Sequence, residues 1–551
     1  MAYLLFHGRH ILNTSFQEKY LWQILNLPFS KLDFIGPNNF NPDERIDTVV
    51  FAVTSSNKSN SRFNPLPFYI RAISLDRFFE HFRKDLGIKQ KIVGIPHFDP
   101  TDKYIEIILK EIHESDGLEL TPKNTIVLAS TPNVIDMYIS LGFTVLPAEY
   151  DYQNKKFIAQ APIDALHTLA EEKVDWQKDT ILENLVSTST FSFWKDFPSV
   201  PDSIKKIWKE PLLTDSGSLT ETRNYSTYAS AMARSEVLDM KYLDIKKAVV
   251  SGKIVDEGCA DGALMVKLAY DFPDSDIIGI DIASEFLARC TERQRAGEFG
   301  GAFVHFHQRN LMDSIFEDGS IDTTICNSTT HEVWSYGDGL ESLKNYINLK
   351  YKQTRKGGRL VIRDVVGPEN KDKEVYLKLN STDGTNENIF FQTDSQDDLM
   401  KHINSLSTEA KFFRFAKDYL EDMRTSGRRG KETKINFKEE NIDGQKYFVL
   451  RMKDAVEFIT KKDYADNWKS ELNEEFAFFS FSDWKDLLHQ AGFDILENPN
   501  KIETASRVYT NDWIVQNRFV GKVEIFENQN GILKQIQYPP TNMVLVAQKS
   551  F

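Results

Sequence analysis

The segment Lys253-Ile254-Val255-Asp256-Glu257-Gly258-Cys259-Ala260-Asp261-Gly262 constrains the fold more than any other stretch of this 551-residue chain. It joins an apolar run ending in an acid to a turn with two glycines, and an apolar helical run at 264–270 follows. A strand, a glycine turn and a helix in that order let a ligand approach the backbone, with N–H groups at the helix start facing it. Further on, Ile277-Ile278-Gly279-Ile280-Asp281 is a second apolar strand closing on an acid. A carboxylate there can accept both ribose hydroxyls of a bound nucleoside. A dinucleotide fingerprint requires glycine at 258, 260 and 263. This chain has Gly258, Ala260 and Ala263 instead, with Asp256 two residues before the first glycine. The spacing therefore rejects a dinucleotide site and suits a nucleoside ligand with a charged amino group and no pyrophosphate.

The surrounding pattern predicts an α/β protein with two Rossmann-like parallel-sheet domains. In the first, strands are expected at 3–6, 48–53, 91–95, 125–129 and 144–146, with helices between them at 70–84 and 103–113. Alternating strands and helices imply a parallel sheet. This domain is expected to span 1–165, with a helical connector over 166–218. The second domain, 219–551, alternates strand and helix to about 367. A charged, Phe-rich stretch at about 368–475 then reads as a helical insertion capping the fold, without an independent core. The α/β pattern resumes with a helix at 482–490, which Gly492 ends, and strands at 520–526 and 543–548.

The order of segments after the glycine turn resembles the class I S-adenosylmethionine-dependent methyltransferases. In that family Asp-x-Gly-x-Gly-x-Gly closes the first strand, and here Ala260 stands for the middle glycine. Gln308-Arg309-Asn310-Leu311 falls where the family has an acid or amide near the adenine. Residues 320–327 resemble its fourth strand, and Lys356-Gly357-Gly358 with 359–364 its fifth. The resemblance implies S-adenosyl-L-methionine as cofactor, bound by Asp256, Gly258, Ala260, Gly262, Asp281, Ile282, Asn310, Leu311 and Asn327. Acceptors in this family lie beyond the fourth strand, next to His331 and Glu332. His331 is a candidate base, with an ordinary pKa near 6.5, and Glu332 could orient it or act alone. Packing against the cofactor is the alternative role for His331. Arg223, Tyr225 and Tyr228 resemble a lid segment over the cofactor, or belong to an ordinary amphipathic helix. No metal is expected: His331-Glu332 alone does not supply a ligand set, and the three cysteines, Cys259, Cys290 and Cys326, have no metal-type spacing.

The first domain resembles the adenylyl- and cytidylyltransferases, with an altered signature. Gly8-Arg9 follows the first strand, but Thr14-Ser15-Phe16-Gln17 has Phe16 and Gln17 where the family has glycine and its second histidine. Asn60 to Arg71 is similar to the family's Asn-Pro to Arg segment. Ala161-Pro162-Ile163-Asp164-Ala165-Leu166 lacks the hydroxyl and arginine of its later motif. The resemblance implies a noncatalytic or altered nucleotide-binding domain.

Three functional readings follow. A small-molecule methyltransferase agrees with the net charge of −14. An RNA methyltransferase draws on the basic run Arg428-Arg429-Gly430-Lys431, which could instead hold an acceptor's phosphate or carboxylate or be a solvated loop. A bifunctional or nucleotide-sensing protein is the third. No apolar run is long enough to span a membrane. The few cysteines and the absence of a basic, cleavable start point to the cytoplasm.

Overall fold

The computed structural model describes residues 2–550 except 39, 99–100, 152, 160–161, 172–174, 211–234 and 499–504. The chain divides into two compact units, Met1–Ser218 and Leu219–Phe551. The segment with Arg223, Tyr225 and Tyr228 lies outside the described residues.

The first unit is built on five parallel strands: β1 (Tyr3–Gly8), β2 (Thr48–Val53), β3 (Lys89–Gly94), β4 (Thr125–Ala129) and β5 (Thr144–Pro147). Their order is β3-β2-β1-β4-β5, with helices Ser15–Asn26, Phe68–Leu86, Tyr104–Asp116 and Pro132–Ser140 in the connections. Every residue of β2 and β4 is buried, as expected when helices cover both faces of a parallel sheet. Successive side chains point to opposite faces. Leu4 and Phe6 therefore join one apolar cluster, and Leu5 the other. A short ribbon, β6 (Tyr150–Asp151) with β7 (Lys156–Phe157), follows. Helices from Pro162–Ala170 to Ser199–Lys209 then bury Leu166, Trp176 and Trp194 with Ile11 and Leu12 in a third cluster.

The second unit carries the glycine turn in a sheet of eight strands. Along the chain these are β8 (Lys253–Glu257), β9 (Asp276–Asp281), β10 (Phe303–Gln308), β11 (Ile321–Asn327), β12 (Thr354–Val365), β16 (Asp494–Ile495), β17 (Arg507–Tyr509) and β20 (Asn542–Gln548). The order is β10-β9-β8-β11-β12-β20-β16, with β17 also on β20. The first five are parallel, and β20 runs antiparallel to β12. This is an α/β fold built on a mostly parallel, Rossmann-like sheet.

The segment after β12 contains the expected helices, among them Gln396–Ser405, Thr408–Asp418 and Met452–Lys461. It also contains strands. β13 (Glu374–Leu379), β14 (Phe437–Ile442), β15 (Gln445–Arg451), β18 (Val523–Gln529) and β19 (Ile532–Gln535) form an antiparallel sheet in the order β14-β15-β13-β18-β19. Val375, Leu377, Phe412, Phe415, Phe448 and Phe458 pack between this sheet and the helices. The cap thus has its own core, contrary to the expectation of an insertion without one. The strand expected at 520–526 likewise starts at Val523 and belongs to the cap. The alternating burial of Val523, Glu524, Ile525 and Phe526 suits an antiparallel sheet with one solvated face.

Candidate functional site

A cleft opens at the carboxyl ends of β8, β9 and β11, with about 830 Å³ of empty space counted to its mouth. Strand order reverses here, because β8 is flanked by the next strand, β9, on one side and by β11 on the other. Connections leave in opposite directions at such a point and create a crevice.

The glycine turn forms one wall. Gly258 and Cys259 donate their N–H groups to the Ile280 carbonyl at 2.9 and 3.1 Å, which ties the turn to β9. Gly258 has φ +72°, and a β-carbon there would lie 2.5 Å from Thr329 Oγ1. Gly262, at φ +78°, starts helix Ala263–Asp271. Ala260 occupies the left-handed region at φ +46°, where an L side chain costs roughly 1–2 kcal/mol. The Ala260 N–H donates to Asp281 Oδ2 at 2.9 Å, and the Ala283 N–H to Asp281 Oδ1 at 2.8 Å. Both carboxylate oxygens of Asp281 are thereby fixed.

Two buried acceptors on the cleft wall have no hydrogen-bond partner among the described residues: Asp256 Oδ2 and Asn327 Oδ1. Asp256 is 2% exposed. Burial, helped by Asp281 and Glu257 and opposed by Lys241, pushes its pKa up to about 7. Burial also raises Asp281 to about 6, against the N–H groups of Ala283 and Ala260. A buried acceptor left unpaired costs about 1–3 kcal/mol, so this wall is complementary to a donor, above all a cationic one.

Of the expected cofactor residues, Asp256, Gly258, Ala260, Asp281, Ile282 and Asn327 line the cleft, and Gly262 adjoins it. Asn310 and Leu311 are not among the lining residues. Asn310 Oδ1 accepts from the Met312 N–H within its own loop, and Leu311 packs against the apolar clusters flanking β8 and β11. Glu332 also lines the cleft, whereas His331 does not. His331 is 6% exposed, with Nδ1 2.7 Å from Asp364 Oδ1 and Nε2 3.4 Å from Glu474 Oε2. Burial alone would lower its pKa, but Asp364 and then Glu474 outweigh burial and hold it well above the ordinary value. An imidazolium clamped by two carboxylates is a poor proton acceptor, so the structure does not support His331 as a general base. Asp364, held down to about 2 chiefly by His331 against its burial, also accepts from the Thr330 N–H at 2.8 Å and so caps helix Thr330–Tyr336.

The sequence reading missed Lys241 and Thr329. Lys241 comes from helix Ser235–Ile245, before β8, and lines the same cleft as Asp256. Burial and Arg363 lower it to about 7, against Asp364 and Asp256. No local pattern marks it. Thr329 Oγ1 donates to the Glu257 carbonyl at 3.1 Å, and its position behind Gly258 is what makes that glycine necessary. The basic run is only partly solvated. Arg429 binds Glu475 and the carbonyls of Trp334 and Ser335, while Arg428 is exposed.

In the first unit, Thr14 and Gln17 form a capping box at the start of helix Ser15–Asn26. Gln17 Nε2 donates to Glu149 Oε1 at 2.8 Å. Burial lowers His7 and His10 to about 4 each. Arg71 is fully buried and donates to the carbonyls of Arg9, Thr54 and Ser55 at 2.9 Å.

Residues 249–439 match the family model described as a methyltransferase domain. The chain carries a methyltransferase domain. S-adenosylmethionine is its expected cofactor. No curated protein matches the chain. Among solved structures it is similar to a S-adenosylmethionine-dependent methyltransferase from Methanosarcina mazei, at 15% identity and a TM-score of 0.28, covering 56% of this chain and 96% of that one. It is also similar to one from Mesorhizobium loti, at 12% identity and a TM-score of 0.30, covering 56% and 99%. A third, from Clostridium acetobutylicum, has 12% identity and a TM-score of 0.28, covering 59% and 99%. Among the described residues of the methyltransferase domain and of the whole chain, no helix is long and apolar enough to cross a membrane.

Proposed function

We propose that residues 219–551 transfer a methyl group from S-adenosylmethionine to a small-molecule acceptor bound beyond Glu332. The observation that carries this reading is the unpartnered Asp256 Oδ2 beside the glycine turn. A carboxylate in that place can accept from the cofactor's ammonium, and Asn327 Oδ1 offers a second acceptor beside it. Asp281, already oriented by two backbone N–H groups, is free to accept from the ribose hydroxyls. Gly258, Ala260 and Gly262 keep the backbone low enough for close approach, and Ile282 and Phe286 supply apolar wall. Asn310 and Leu311 are left out of this site. The bound cofactor supplies an electrophilic methyl group, whose in-line displacement depends mainly on positioning. Calorimetry with Asp281→Ala tests the site: S-adenosylmethionine binding should be lost, and unchanged affinity would sink the assignment.

A small acceptor is favoured over RNA by the charge of −14 and by Arg429, whose guanidinium is already paired inside the protein. RNA binding that weakens steeply with salt would reverse this choice. We also propose that the first unit does not transfer nucleotides. Gln17 is held by Glu149, and a carboxylate beside the helix start disfavours a phosphate there. Phosphate-dependent nucleotide transfer by the unaltered chain, with ATP or CTP, would overturn this. Three free, buried cysteines agree with a reducing cytoplasm.

A further inference from the structure

We propose that His331, Glu332 and Glu474 bind one divalent first-row transition cation, Mn²⁺ or Zn²⁺, at the edge of the cleft. One ligand atom from each residue lies within 4.8 Å of the other two. Ligands about 2.0–2.2 Å from a shared ion sit roughly 3–4.4 Å apart, so the cluster needs adjustments of under about 1 Å to close on one. The pair His331 Nε2 and Glu474 Oε2, at 3.4 Å, already has that spacing. His331 and Glu474 are buried, and Glu332 is half-buried on the cleft wall.

The surroundings are those of a ligating imidazole. A metal-bound histidine characteristically donates its other ring N–H to a carboxylate, which fixes the ring and aims its free nitrogen at the ion. Asp364 Oδ1 stands 2.7 Å from His331 Nδ1 and accepts from the Val365 N–H, while Thr330 donates to Oδ2 of the same carboxylate. The Tyr336 hydroxyl donates to Glu474 Oε1 at 3.0 Å, so that the other oxygen, Oε2, is the one turned to the imidazole. One imidazole with two carboxylates suits Mn²⁺ or Zn²⁺ better than a thiophilic ion. On binding, the ion replaces the proton on Nε2, which is released to solvent. Three protein ligands leave coordination positions open. Because Glu332 faces the cleft, those positions can orient an acceptor through its oxygen atoms. That last role rests on the methyl-transfer reading above; the cation site does not.

The test uses the full chain, stripped with EDTA and titrated with MnCl₂ while the electron paramagnetic resonance signal of free Mn²⁺ is followed. Zn²⁺ is titrated separately by calorimetry. One ion per chain is expected, weakened at least tenfold by Glu474→Gln and by Glu332→Gln. Asp364→Asn, which alters the support of His331 without removing a ligand and keeps an oxygen for the Thr330 N–H, should weaken it by about 10–100-fold. Failure of the wild type to bind either ion stoichiometrically overturns the proposal. So does wild-type affinity in both glutamine variants. If the buried Glu474→Gln variant does not fold, Glu332→Gln decides alone. S-adenosylmethionine binding to wild-type and Glu474→Gln protein without metal separates the two readings. Cofactor binding retained with metal binding lost is the expected pattern in the variant. Metal bound by a wild type that ignores the cofactor would leave the cation site standing and remove the methyl-transfer reading.

Discussion

At the scale of single residues, the site is set by one carboxylate held out of balance. Asp256 is buried, with no donor on Oδ2, and burial with Asp281 and Glu257 nearby raises its pKa to about 7. A cationic ligand favours the ionised carboxylate, so binding should release a proton. S-adenosylmethionine affinity is therefore expected to increase as pH rises from 6 to 7.5, with Asp281, at about 6, contributing in the same direction at the lower end. Calorimetry across that range should show the increase in the wild type and a flatter profile in Asp256→Asn. A flat wild-type profile would contradict the assignment. Ala260 carries a second imbalance, a β-carbon at φ +46°. Relief of that strain outweighs the greater freedom of an unfolded glycine. Ala260→Gly should stabilise the protein by about 1 kcal/mol in urea unfolding, and destabilisation would mean that the turn is shaped by other contacts. Asp256, Gly258 and Asp281 were legible in the sequence because each closes a strand or opens a turn within its own segment. Lys241 was not, because nothing in its own helix registers what that helix packs against.

At the scale of elements, the turn between β8 and helix Ala263–Asp271 depends on Thr329, which follows β11. Gly258→Ala would set a β-carbon 2.5 Å from Thr329 Oγ1 at φ +72°. The backbone alone should then lose about 1–2 kcal/mol, and displacement of Thr329 should weaken cofactor binding more than tenfold. Urea unfolding and calorimetry measure the two effects, and a variant indistinguishable from wild type in both would refute the account. Strand positions were read well where strands are buried on both faces, as in β2, β4, β8 and β9. Those runs are continuously apolar and bounded by turn residues. The cap was read poorly. Its strands alternate apolar and charged residues, as in Phe437-Lys438-Glu439-Glu440, and such short alternation among helices does not announce which strands will pair. The sheet joins β13 to β18, strands separated by most of the cap and by the return to the main sheet.

At the scale of the whole molecule, two units each have their own sheet and their own apolar clusters. A ligand that binds one unit stabilises the native state of that unit by mass action. S-adenosylmethionine at a hundred times its Kd should raise the unfolding free energy of residues 219–551 by about 2.7 kcal/mol. Scanning calorimetry should show one transition moving up while a second, from residues 1–218, stays in place. A shift of both by the same amount would mean that the chain unfolds as one cooperative body.

The sequence by itself determined the α/β class, the parallel strands of both main sheets and the glycine turn that follows β8. All of these rest on periodicity and spacing within a few dozen residues, where the backbone imposes the geometry. Tertiary structure alone decided what surrounds His331. As a residue after the fourth strand it could be a base or a packing group. Folding brings Asp364 to one ring nitrogen and Glu474 to the other. It also sets Glu149 against Gln17, 132 residues away, and Glu475 against Arg429. Electrostatic neighbours are a matter of distance in space, and the order of the chain specifies which faces are apolar without specifying which distant carboxylate will meet a given imidazole.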